Sequence, residues 1–148
     1  MISGKLVHLI LTREEEIIDR VLERIRRDPE MEQIRTNLVT GLHQWHRKLF
    51  ENLIHWLTGG NRDTLVGHYQ QEGREWSRQG IPLHECLQDL CMTREILLDF
   101  VEEHTLNKDS LELYAEEELD RRVGRFFDLL IVQLVRGYES AKRHSAAA

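Results

Sequence analysis

Proline and cysteine are nearly missing from this chain, and no apolar run is long. Two prolines and nine glycines in 148 residues leave little room for the turn-dense layout of a sandwich or barrel, and favour long uninterrupted elements. Cys86 and Cys91, five positions apart, point about 140° away from each other on a helix and cannot pair within it. Two thiols without a cysteine framework fit a reducing cytoplasm. The longest apolar cluster, residues 126–135, is interrupted by Asp128 and Gln133 and falls short of the roughly 20 residues a membrane helix needs. The apolar positions Leu6, Val7, Leu9, Ile10 and Leu11 are followed at once by Arg13-Glu14-Glu15-Glu16, with no small-residue cleavage site, so they read as helix and not as a signal peptide. An excess of positive charge is also missing. Twenty basic against 26 acidic residues give a formal charge of −6, which speaks against a nucleic-acid partner held by phosphate attraction.

What is present is 41% apolar and 31% charged residues, enough for one core inside a solvated exterior. A single domain of this length buries about 70% of its unfolded surface and needs no metal or disulfide to fold. Apolar positions recur every three or four residues. Leu6, Ile10, Ile17, Val21 and Ile25 predict a first helix ending near Arg27 at Asp28-Pro29. We read it as continuous; the alternative is a split in which Thr12 and Glu15 form a capping box. Met31, Ile34, Leu38, Leu42, Trp45, Leu49, Leu53 and Trp56 predict a second helix, stopped by Gly59-Gly60. Asn61 opens a third, with a thin stripe of Leu65, Tyr69 and Trp76 before Gly80. Pro82 starts a fourth, facing inward through Leu83, Leu87, Leu90, Cys91, Leu97 and Val101. After a turn at Asn107-Lys108-Asp109, with Asp109 and Glu112 as cap and partner, a fifth helix runs from Ser110 to about Lys142. It buries Leu113, Leu119, Val123, Phe126, Phe127, Leu130, Leu134 and Tyr138. Its acidic start and basic end follow the helix dipole. The expectation is an all-α bundle of about five helices over residues 1–143, with a frayed tail over 144–148.

Motifs for chemistry are sparse. Eight histidines are present, but neither the His-Glu-x-x-His pattern nor the Glu-x-x-His pairs of di-iron bundles. His43 and His46 are near enough to share a metal, while His55 points about 180° from His46. The better reading is structural or solvent-facing histidines and no metal site. A haem held by one axial ligand is the alternative, with His43, His46, His55 and His68 as candidates. His84-Glu85 is similar to the pair around the phosphorylated histidine of sensor kinases, but Cys86-Leu87-Gln88 replaces the expected continuation, which leaves Glu85 a capping and dipole role. Cys86 and Cys91 on or beside an apolar face read as inert thiols. The runs Glu14 to Glu16 and Glu116 to Glu118 splay around their helices and do not converge. Gly41, Gly67, Gly73, Gly124 and Gly137 each cost about 1 kcal/mol against alanine inside a helix, tolerated where a backbone, ring or ligand comes close. Tight helix crossing is the simpler explanation. The functional one is a small ligand pocket on the third helix at Gly67, His68, Gly73 and Trp76.

The stretch Gly73-Arg74-Glu75-Trp76-Ser77-Arg78-Gln79-Gly80-Ile81-Pro82-Leu83-His84-Glu85-Cys86-Leu87, continuing to Thr93-Arg94-Glu95-Ile96-Leu97, resembles the RsbRD-type N-terminal domain. That helical module precedes the output domain of RsbT co-antagonist proteins and of some bacterial sensor kinases. A second matching stretch is Arg121-Arg122-Val123-Gly124-Arg125-Phe126-Phe127-Asp128, ending in Arg136-Gly137-Tyr138-Glu139. The resemblance implies an all-helical, globin-like sensory or regulatory domain. It would be homodimeric and without enzymatic activity; the thiol count, the charge and the short apolar runs add a cytoplasmic setting with neither nucleic acid nor membrane as partner. It also implies an output domain, kinase or anti-sigma-antagonist-like, in cis or in trans, since such a domain normally begins just after the position of Tyr138-Glu139. A shift of the long fifth helix would carry the signal. A haem- or gas-binding globin-like sensor is the alternative on the same scaffold.

Overall fold

The computed structural model describes residues 4–38, 40–105 and 109–147, and every regular element among them is helical. The segment expected as one first helix holds two, α1 (Gly4–Thr12) and α2 (Glu14–Arg27). The break is a single residue, Arg13, at φ −113° and ψ 17°. Backbone bonds still cross it, from Arg13 to Leu9 and from Ile17 to Arg13, both at 3.1 Å. The Thr12 hydroxyl donates back to the His8 carbonyl at 2.8 Å, a bond that competes with the helical ladder and bends it. The split therefore arises without the capping box.

Asp28 accepts from the Glu30 amide at 2.9 Å and starts one 3₁₀ turn, Pro29–Met31. α3 (Glu32–Asn37) and α4 (Leu42–Leu57) replace the single second helix that the apolar spacing predicts. Leu38 is extended and Gly41 takes φ +81°, a left-handed conformation that ends the run and precedes α4. Gly41 is thus a turn residue and not a helix-interior one. The apolar line survives the break because Met31, Ile34, Leu38, Trp45, Leu49 and Leu53 are all buried on both sides of it.

α5 (Arg62–Arg78) begins at Asn61, whose side chain accepts from the Asp63 amide at 2.8 Å. α6 (Leu83–Glu103) follows Gly80 and Pro82. α7 (Ser110–Ala147) is capped by Asp109, which accepts from the Glu112 amide at 2.8 Å; Asn107 and Lys108 lie outside the described residues. The count is seven helices among the described residues, not five. At 38 residues α7 is about 57 Å long. It continues through His144 to Ala147, where the sequence predicts a frayed tail. There the His144 ring lies 2.8 Å from the Ser140 carbonyl.

The core follows the periodic positions closely. Ile10, Ile17, Val21, Ile25, Trp76, Leu97, Phe126, Phe127, Leu130 and Leu134 are fully buried as expected, and so are Phe50 and Phe100, which the expected apolar lines left out. Two expectations are corrected. Leu113 is half exposed, in company with Leu111 and Tyr114, because the start of α7 lies at the edge of the bundle, where Ala115 is the first residue packed on the core and Leu119 the first buried one. Cys91 is exposed, and Cys86 is the buried thiol. Among the described residues no helix is long and apolar enough to cross a membrane.

Candidate functional site

Two features set by the sequence stand out: a backbone contact between α5 and α7, and a buried charged cluster between α4 and α6. A Cβ added to Gly73 would collide with the Leu134 carbonyl oxygen and lie 2.9 Å from the Tyr138 nitrogen. One added to Gly137 would collide with the Gln70 carbonyl oxygen. Glycine is required at both positions because each lets the other helix's main chain approach to contact. Gln70 also donates to Gln133 at 2.8 Å. Since Gln70 meets residues 133 and 137 and Gly73 meets 134 and 138, the two helices run in the same direction. The Tyr138 hydroxyl then donates to the Ile81 carbonyl at 2.6 Å, tying α7 to the turn that joins α5 and α6. Arg94 on α6 lies 3.6 Å from Asp128 on α7.

The four positions expected to line a pocket have four different surroundings. Gly67 is exposed, with open space where a Cβ would stand. His68 is partly buried, edge-on to Tyr69 at 4.8 Å between centroids and 3.6 Å from Glu72. Gly73 is filled by α7, as tight helix crossing requires. Trp76 is fully buried, its ring 4.6 Å from that of Trp45.

The charged cluster is built by α4 and α6. His46 and Asp89 are both without solvent exposure, with Nε2 and Oδ1 2.6 Å apart. The His46 Nδ1 donates to the Leu42 carbonyl at 2.7 Å, an oxygen that only accepts. With Nδ1 turned to the Leu42 carbonyl, Nε2 faces the Asp89 side chain, so both ring nitrogens are engaged. Burial alone would lower the His46 pKa; the Asp89 charge and hydrogen bond, with the Leu42 carbonyl, outweigh it and leave the value raised. The Thr93 hydroxyl lies 2.8 Å from the Asp89 carbonyl oxygen and 3.1 Å from Oδ1. Asp89 Oδ2 and Trp76 Nε1 are buried without a hydrogen-bond partner. Glu85, one turn before Asp89, is also buried and accepts from the Ile34 amide at 3.0 Å. It therefore caps an amide in the first turn of α3, a different helix from its own.

Sequence reasoning named His46 and Glu85 but missed Asp89 and Thr93. Their signal was present: Glu85, Asp89 and Thr93 recur every four residues beside the apolar line of Cys86, Leu90 and Leu97, so three polar side chains share a buried face. The other histidines are dispersed. His43 is exposed on Glu15 at 2.8 Å, and the His43 and Arg47 hydrogen bonds hold the Glu15 carboxyl below its usual range. His55 is exposed. With both nitrogens of His46 engaged, it offers no lone pair to an iron in this conformation. Among the described residues no group of three histidine, cysteine, aspartate or glutamate side chains is placed to hold a metal ion.

Gly73 to Leu97 and Arg121 to Glu139, the stretches that carried the family resemblance, are the segments joined by the Gly73–Tyr138, Ile81–Tyr138 and Arg94–Asp128 contacts. The family model described as the RsbT co-antagonist protein rsbRD N-terminal domain matches residues 15–148, which takes in α2 to α7. No curated protein and no solved structure matches the chain.

Proposed function

From the premise that the chain belongs to the RsbT co-antagonist protein rsbRD N-terminal domain family, we propose that it is the non-enzymatic signal-input part of a bacterial stress-signalling protein. It acts in the cytoplasm, as a homodimer, on an output domain supplied in cis or in trans, and so biases that protein's engagement of RsbT. The observation that carries this reading is the parallel α5–α7 pair. α7 is long enough to reach past the bundle, and its contact with α5 is main chain on main chain at Gly73 and Gly137. Such a contact has few intermediate positions, because side chains that could yield are not between the helices. A ligand or partner that favours one register of α7 over another by a few kcal/mol shifts the population of output states. Dimer formation is supported by the exposed Leu111, Leu113 and Tyr114 in the first turns of α7, apolar side chains that a second chain would cover.

The test is RsbT binding by the protein that carries this domain together with its output domain, measured before and after the seven-helix region is removed. Removal is expected to change the affinity for RsbT or its response to stress conditions. Unchanged affinity and response would refute the proposal. Light scattering behind size exclusion at several concentrations checks the dimer, and a one-chain mass at all of them would refute that part.

A further inference from the structure

The C-terminal ends of α5 and α7 enclose an open groove of about 830 Å³ lined by Arg74, Ser77 and Arg78 from one helix and Ser140, Lys142 and His144 from the other, among others. No lining residue is a carboxylate, in a chain where acids outnumber Lys and Arg by 26 to 20. These cations are not spent on neutralising the end of α5. The carbonyls of Glu75, Trp76 and Ser77 already accept from the amides of Gln79, Ile81 and Gly80 at 3.0 to 3.1 Å. Arg78 has one weak acidic neighbour, Glu75 at 3.4 Å, and Arg74 donates to the neutral Gln71 at 3.1 Å. Lys142 lies 5.9 Å from the centre of the Tyr138 ring, and among the described residues no carboxylate stands within ion-pair distance of it or of Arg74. Three like charges held on facing helices repel one another, and an anion between them relieves that repulsion.

We propose that this groove is a binding site for a phosphorylated small molecule bearing two or more negative charges. Two guanidinium groups one turn apart on α5 offer the forked donors that match phosphate oxygens, and the Lys142 ammonium meets them from α7. The serine hydroxyls add neutral donors. The volume exceeds what one phosphate fills and lies within the range of small-molecule sites, so the ligand carries a further moiety or a second phosphoryl group. The site stands on this chemistry whether or not α7 conveys a signal. Because it joins the ends of the two glycine-paired helices, its occupant would bridge α5 and α7.

Isothermal titration of the chain with pyrophosphate, ATP and adenosine tests the proposal, using Arg74→Ala and Lys142→Ala with Arg24→Ala on α2 as the control. Each variant is first checked for unchanged helicity. The expected result is saturable binding of pyrophosphate and ATP but not of adenosine, weakened about tenfold or more by Arg74→Ala and by Lys142→Ala and left within about twofold by Arg24→Ala. Tighter binding of ATP than of pyrophosphate would identify a nucleotide as the occupant; equal binding would identify the polyphosphate group itself. No saturable binding of either anion, or equal weakening by all three substitutions, would overturn the site.

Discussion

His46 and Asp89 stand 43 positions apart in sequence and meet at 2.6 Å with no solvent on either side chain. Removing one partner of such a pair leaves the other charge uncompensated, so His46→Ala is expected to cost about 3–5 kcal/mol in equilibrium urea unfolding. The pH dependence has a definite sign. His46 is raised in the fold, so its contribution is fully present below the unfolded-state value of 6.5 and is lost as pH rises through the higher folded-state value. Unfolding free energy should therefore decline over that window, and the decline should vanish in a His46→Leu/Asp89→Leu double variant. A second residue-scale expectation concerns the thiols. Burial pushes the Cys86 pKa up, and Cys91 is exposed, so one equivalent of iodoacetamide should label the native chain and two the unfolded chain, counted by mass spectrometry. At this scale the sequence was partly legible. His46 was visible as a candidate ligand three residues from His43, whereas Asp89 and Thr93 lie on a helix whose legible signal was the apolar line through Leu90 and Leu97.

Glycines separate two kinds of helix position within α5 and α7. At Gly67 and Gly124 a Cβ meets nothing, so alanine there should gain about 0.5–1 kcal/mol from the more restricted unfolded chain and better helix propensity. At Gly73 and Gly137 the same change drives a methyl group into the opposite backbone and should lose about 1–3 kcal/mol, or more if the helices cannot part. Thermal unfolding of the four variants reads out both signs. The helices themselves were legible because their buried positions repeat every three or four residues, and the caps at Asn61 and Asp109 are where side-chain chemistry places them. The break at Gly41 was not, and the one at Arg13 was legible only as the alternative of a split at Thr12. Both interrupt the helix while preserving the spacing of apolar residues, so periodicity runs through them unmarked; only its positive φ distinguishes Gly41 from a helix-interior glycine.

Across the whole molecule, the segments between Gly73 and Leu97 and between Arg121 and Glu139, in which the resemblance was read, pack against each other within the residues the family model matches. Small residues and a tyrosine meet there in helix-to-helix contacts. The pocket expected around Gly67, His68, Gly73 and Trp76 comes from the same residues read one helix at a time. A sequence shows that a glycine permits close approach, but not whether a ligand or a second helix takes the space. At Gly73 the second helix takes it, and in the proposed mechanism that contact governs what α7 delivers. The affinity of the complete co-antagonist for RsbT, measured with Gly137→Ala against Gly124→Ala at a temperature where both remain folded, tests this most directly. Gly137→Ala should change the affinity by about fivefold or more, while Gly124→Ala, on the same helix but touching nothing, should stay within about twofold of the unsubstituted protein. Equal affinities for the two variants would contradict a signal carried through the α5–α7 contact.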